Sequence, residues 1–144
     1  MATQDTTAIK SIDQLRQAVA ELMALEPAAQ VTVIRPLGTE FLRVAEQGNL
    51  ERLKVFLEAD FPLDYQDPRT GQTALHCAAA SDAVEVIIEL NKTDRCDYLL
   101  RDRWGRLPSE LAYTIAENPA IAKLLGEKER DQAASMGLGL SRRP

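Results

Sequence analysis

Residues Thr70 to Ala79 read T-G-Q-T-A-L-H-C-A-A. Thr73 is placed to cap a helix, its hydroxyl accepting from first-turn N–H groups that have no partner within the helix. Leu75, Ala78 and Ala79 follow at helical spacing as an apolar stripe, and the small alanines let a neighbouring helix approach closely. Val84, Ile87, Ile88 and Leu90 give a second stripe of the same period. The unit is therefore a turn, a short helix, a reversal and a second helix.

The unit recurs. Gly71 and Gly105 lie 34 residues apart, and Ile87–Ile121 and Leu90–Leu124 share that offset. In the other direction Ala79 pairs with Ala45, Ile87 with Leu53 and Leu90 with Phe56. The first copy begins near Thr39. Phe41, Leu42 and Ala45 belong to its first helix, Gly48-Asn49 to its reversal, and Leu50, Leu53, Phe56 and Leu57 to its second helix. Phe61 to Asp67 leads to the next unit. The third copy starts at Asp102-Arg103-Trp104-Gly105. Leu107-Pro108 there lacks a hydroxyl cap, although Pro108 suits a first helical position. Asn118-Pro119 opens the last helix, Ala120 to Leu125, and Gly126 is placed to end it.

The central copy resembles the signature of the ankyrin repeat, whose pattern runs G-x-T-P-L-H-x-A-A and recurs at roughly 33 residues. Thr73-Ala74-Leu75-His76 stands for T-P-L-H, with Ala74 in place of proline. Asp82 stands where the family has glycine. Asp102-Arg103-Trp104-Gly105 matches its D-x-x-G hairpin, and Leu107-Pro108 replaces Thr-Pro. The flanking copies match less well than the central one, as terminal units of a solenoid do. The resemblance covers about residues 39–126. It implies an all-α solenoid of helix-turn-helix units with β-hairpin-like connectors. It also implies that His76 hydrogen-bonds within and between hairpins. The implied function is non-enzymatic: a small adaptor or regulator binding a partner protein through hairpin tips and a concave helix face. A structural subunit or assembly factor of a larger complex is the alternative.

The flanks carry their own patterns. Ser11-Ile12-Asp13-Gln14 reads as a capping box. Ile12, Leu15, Val19 and Leu22 then define an amphipathic helix over about residues 11–26, ending before Pro27. It serves either as a cap on the apolar end of the first unit or as a docking helix. Val31-Thr32-Val33-Ile34 is a β-prone run, expected as an extended linker too isolated for a sheet. The domain reading is a flank over 1–38, repeats over 39–126 and a flexible tail over 127–144. Residues 1–8 are expected to be disordered. Charged Glu127 to Asp131 can lengthen the last helix, and Met136 to Pro144 reads as flexible.

Composition bounds the rest. The chain has 144 residues, 45% hydrophobic but only 5% aromatic, which suits closely packed helices rather than a β-sandwich. Its net charge of −5 makes nucleic acid a poor partner. No apolar run approaches the ~20 residues of a membrane span. Met1 to Lys10 lacks a secretory pattern. Cys77 and Cys96 do not make a disulfide framework. The expectation is a soluble, cytoplasmic protein with reduced thiols.

No catalytic, cofactor or metal site is expected. Gly137-Leu138-Gly139 lacks the strand, helix and lysine of a phosphate loop. The one histidine, His76, has no metal-ligand spacing around it. Cys77 beside it points elsewhere on the helix, so the two form no thiol–imidazole pair. Asp64 with Asp67, and Asp94 with Asp97, read as turn-formers.

Carried over residue by residue, the family's binding surface gives Tyr65, Gln66, Arg69, Thr70 and Gln72 on one hairpin. The next supplies Arg101, Arg103, Trp104 and Arg106. Arg43, Glu46, Gln47, Ala80, Ser81, Tyr113 and Thr114 fall on the helices. Trp104, the single tryptophan, sits among arginines at a tip, and these residue types are enriched at hot spots. The expected guest is an acidic or phosphorylated protein segment, with no nucleic acid, membrane or small molecule involved. The competing reading folds Trp104 over the N-terminal flank or adjacent hairpin as a satellite core.

Overall fold

The computed structural model describes residues 11–137. Eight helices follow in order among these residues: α1 (Ile12–Met23), α2 (Pro27–Val33), α3 (Arg35–Gln47), α4 (Leu50–Glu58), α5 (Ala74–Ala80), α6 (Val84–Lys92), α7 (Pro108–Thr114) and α8 (Pro119–Ser135). No strand occurs among them. The fold is all-α: pairs α3/α4, α5/α6 and α7/α8 stack as successive units. First helices pack on first helices, α3 on α5 and α5 on α7, while α4 contacts α6.

Each unit explains itself locally. Thr73 caps α5 by accepting from the His76 N–H at 3.4 Å. Asn49 and Asn118 cap α4 and α8, accepting from Arg52 N–H and Ile121 N–H, both at 3.2 Å. α7 has no N-cap acceptor at Leu107. Its Glu110 compensates from the other half of a capping box, accepting the Leu107 N–H at 2.7 Å. The reversals use left-handed residues: Gly48 at φ 71°, Asp82 at φ 60° and Glu117 at φ 55°. Asp60 (φ 59°) and Asp94 (φ 55°) do the same after the second helices. Asp82 also accepts from the Asn118 amide at 2.8 Å, tying one reversal to the next.

The core runs the length of the stack. Phe41, Phe56 and Phe61 fill the first unit, all fully buried, with ring centroids 4.9–5.2 Å apart. The alanines Ala74, Ala78 and Ala79 of α5 are buried where three first helices meet. α1 buries Leu15, Val19 and Leu22 and packs on α4. Its capping box is present, with Ser11 accepting from Gln14 N–H at 3.1 Å.

Three sequence expectations are corrected. The β-prone run at 31–34 is helical through Val33, because Pro27 presets the first helical turn. Gln30 then donates to the Leu25 carbonyl at 2.9 Å, at the end of α1. The first unit begins at Arg35 rather than Thr39, so the boundary drawn at residue 38 falls inside α3. Gly126 does not end the last helix, which continues to Ser135. Leu125, Glu129 and Ala133 recur at i, i+4 and are all buried, so the segment expected as a loose tail is docked. The expectations for residues 1–8 and 138–144 lie outside the described residues.

The docked end of α8 closes the stack. The connectors between units form a ladder: Asp64 accepts the Asp97 N–H at 2.8 Å, and Arg103 N–H donates to the Thr70 carbonyl at 2.7 Å. At the last connector Gln132 replaces a further unit. Its side chain accepts the Tyr98 N–H at 2.6 Å and donates to the Cys96 carbonyl at 3.0 Å. Buried Glu129 accepts from both the N–H and hydroxyl of Ser109, at 3.1 and 2.7 Å, in the first turn of α7. Burial pushes the Glu129 carboxyl up, and the two Ser109 bonds draw it back only in part.

His76 joins the units and is fully buried. The Thr73 N–H donates to its Nδ1 at 3.1 Å, which makes Nδ1 the unprotonated nitrogen. Nε2 then carries the proton and donates to the Arg106 carbonyl at 2.9 Å. Burial holds its pKa below the ordinary 6.5, against the raising effect of the Arg106 bond.

Two outcomes follow for stability. The unfolded chain takes up a proton at His76 near pH 6.5 and the folded chain only lower, so this group's contribution is complete above pH 6.5 and fades as pH falls. Urea melts of wild type and His76→Gln between pH 7.5 and 5 will show wild type losing its advantage on acidification, by at most about 1.4 kcal/mol per pH unit. A constant difference would refute the neutral-imidazole assignment. Gly38→Ala will lower stability by about 1–3 kcal/mol despite alanine's better helix propensity. The reason is that a Cβ at Gly38 runs into the Tyr65 ring. An unchanged melting temperature would refute that contact.

Candidate functional site

The hairpin tips are built around two aspartates. Asp67 closes the first tip: its N–H donates to the Gln72 carbonyl at 3.0 Å, and its Oδ1 accepts the Arg69 N–H at 2.7 Å. Gly71 completes the turn at φ 71°. A Cβ there would meet the Arg103 backbone nitrogen at 2.9 Å, so glycine is required both for the turn and for the second tip to approach.

Asp102 organises the second tip more fully. Its side chain has no exposed surface. Oδ1 accepts the backbone N–H groups of Trp104 and Arg106 at 3.0 and 2.9 Å. Oδ2 accepts Arg106 Nε at 2.9 Å and the Gln72 amide at 3.4 Å. Burial alone would raise the Asp102 pKa, but these donors outweigh it and hold the carboxyl below the ordinary range. Arg101 adds a bond from Nη1 to the Gly105 carbonyl at 2.8 Å and an ion pair with Glu110 at 3.9 Å.

Trp104 stands on this frame, 58% exposed. The Arg106 and Arg103 guanidinium carbons lie 5.1 and 6.0 Å from its ring centre. The ring is therefore held by arginines, and the satellite-core reading does not hold. Arg103 also donates to the Arg69 carbonyl at 3.4 Å, and Arg69 itself is 82% exposed.

The other expected surface residues divide. Gln66 is exposed, but its amide is tied to the Gly71 and Arg101 carbonyls at 2.9 and 3.3 Å. Gln72 is half-buried on Asp102. Tyr113 projects from α7, 65% exposed, beside exposed Thr114. Glu46, Gln47 and Ser81 are exposed, Ala80 is half-buried, and Arg43 pairs with buried Glu40 at 3.4 Å. Tyr65 is the exception. Its ring lies against Gly38 of α3 and its hydroxyl is buried, so it is a packing residue rather than a tip residue.

Sequence reasoning missed Asp102, Glu110 and Gln132 as organisers. The D-x-x-G spacing marks Asp102, and the three-residue offset from Leu107 marks Glu110. Nothing local marks Gln132, whose partners are more than thirty residues away.

Burial pushes both thiols, Cys77 and Cys96, up to about 12, far from the thiolate form a nucleophile needs. Among the described residues no group of His, Cys, Asp and Glu is placed to hold a metal ion. No described helix is long and apolar enough to cross a membrane.

No curated protein matches the chain. Residues 41–90 match the family model described as ankyrin repeats (many copies). That span runs from the first helix of the first unit to the second helix of the central one. Ankyrin repeats are in general protein–protein interaction modules. The matched segment, the stacked helix pairs and the Thr73–His76 bonds together give residues 41–90 the character of ankyrin repeats.

Proposed function

We propose that the chain is a small adaptor or regulator that binds an acidic segment of a partner protein through its hairpin tips and concave helix face. The observation that carries this reading is the exposure of Trp104 on a turn closed by Asp102, with two guanidinia against its ring. A large apolar ring left in water costs free energy, while an ordered ring loses little entropy on binding. Around it Arg69, Arg101, Arg103 and Arg106 supply positive charge on a chain of net charge −5. Gln66 and Gln72 brace the tips, and Tyr113 extends the face onto α7.

The alternative of a permanent subunit has one observation in its favour. α2 buries no residue, and Leu25, Val31 and Val33 are 41%, 76% and 49% exposed at that end of the stack.

Affinity capture from host lysate with wild type and Trp104→Ala separates the two. The adaptor reading expects retained partners to fall by at least about tenfold with the variant, as loss of a hot spot of about 2 kcal/mol would give. The melting temperature should stay unchanged. Undiminished recovery would remove the tip from the interaction, and recovery lost only with Val31→Asp would favour the subunit.

A further inference from the structure

We propose that the Arg69–Arg103–Trp104 tip recognises a phosphorylated residue of the partner segment, not acidic side chains in general. This rests on the reading of the tip as the partner-binding face. The tip sorts its charges by depth. Its carboxylates face inward: Asp102 is fully enclosed and Asp67 is 22% exposed, each accepting the backbone N–H groups of its own turn. The guanidinia face outward, and two of them lack full neutralisation. Arg103 makes no ion pair with a carboxylate among the described residues, and Arg69 reaches Asp67 only at 4.0 Å while 82% exposed.

These two are neighbours, joined by the Arg103 bond to the Arg69 carbonyl at 3.4 Å and by the backbone bond from Arg103 to Thr70 at 2.7 Å. Two adjacent positive groups repel one another. One carboxylate offsets only one of them, whereas a phosphomonoester carries nearly two negative charges and three acceptor oxygens. Its oxygens are enough to take donors from more than one guanidinium. Arg106, anchored through Nε to Asp102, lies with its guanidinium carbon 5.1 Å from the centre of the Trp104 ring. Trp104 supplies the apolar floor for the residues flanking the phosphate.

The single tryptophan gives a site-specific readout. Pools of tryptophan-free peptides with a central phosphoserine or phosphotyrosine, and matched pools with glutamate there, are titrated into the full chain while Trp104 emission is followed. At least one phosphopeptide pool should perturb the emission with about tenfold or greater preference over its glutamate counterpart. Arg103→Gln should weaken that response by about tenfold, and Arg103→Lys should restore only part of it, because an ammonium cannot reproduce the guanidinium fork. Melting curves establish that these exposed variants remain folded. Equal response to phosphate and glutamate would overturn the proposal and leave the acidic-segment reading standing. A phosphopeptide response unchanged in an Arg69→Gln/Arg103→Gln double variant would overturn it as well. So would preferential binding to phosphoinositide vesicles over every peptide pool. No response to any pool, with partner capture still lost in Trp104→Ala, would refute phosphate recognition alone. Capture insensitive to Trp104→Ala would remove the proposed function with it.

Discussion

One neutral imidazole ties the array together. His76 lies where α5 begins, and its two nitrogens serve different units. Nδ1 receives the Thr73 N–H, an otherwise orphaned donor at the start of the helix. Nε2–H reaches the Arg106 carbonyl in the next unit. A hydrogen bond of this kind contributes only about 1 kcal/mol net, but leaving either buried group unpaired costs about 1–3 kcal/mol. The imidazole thus has one acceptable tautomer and one position. The second tip hangs from it, because Arg106 is also the residue whose N–H and guanidinium hold Asp102.

That dependence separates scaffold from surface within a few residues. Asp67 and Asp102 spend their charge on the backbone of their own turns. Asp102 also holds Arg106, but Arg69 and Arg103 are left facing solvent, so an acidic chain carries positive charge at this edge. The same carboxylates make the edge rigid, since each turn closes on its own aspartate and the two turns touch through Gly71 and Arg103.

Much of this was legible in the sequence. The 34-residue offsets located the helix pairs, and T-x-L-H located the cap and the bridging histidine. What escaped depended on contacts the sequence does not display. Val31-Thr32-Val33 has strand propensity, but that preference is weak against a proline that starts a helix beside α1. Gly126 signals a helix end only with a left-handed backbone, and here it lies within a helix whose next turns are buried. Tyr65 sits at a position exposed in the resemblance, yet the missing side chain at Gly38 opens a slot for its ring. The tip itself was legible as residues. Its inward and outward sorting of charge was not, because that is set by which backbone N–H groups each aspartate reaches.

The left-handed residues at the helix ends bear on how such a chain can evolve. Asp94 and Glu117 hold a conformation that glycine adopts without strain. Each represents about 1 kcal/mol of unused stability, and an aspartate or glutamate codon becomes a glycine codon by one base change. Asp82 and Asp60 differ, since their carboxylates meet the Asn118 amide at 2.8 Å and Arg95 at 3.6 Å. A lineage that altered the tip at some loss of folding free energy would thus find compensating changes one mutation away, at sites outside the tip.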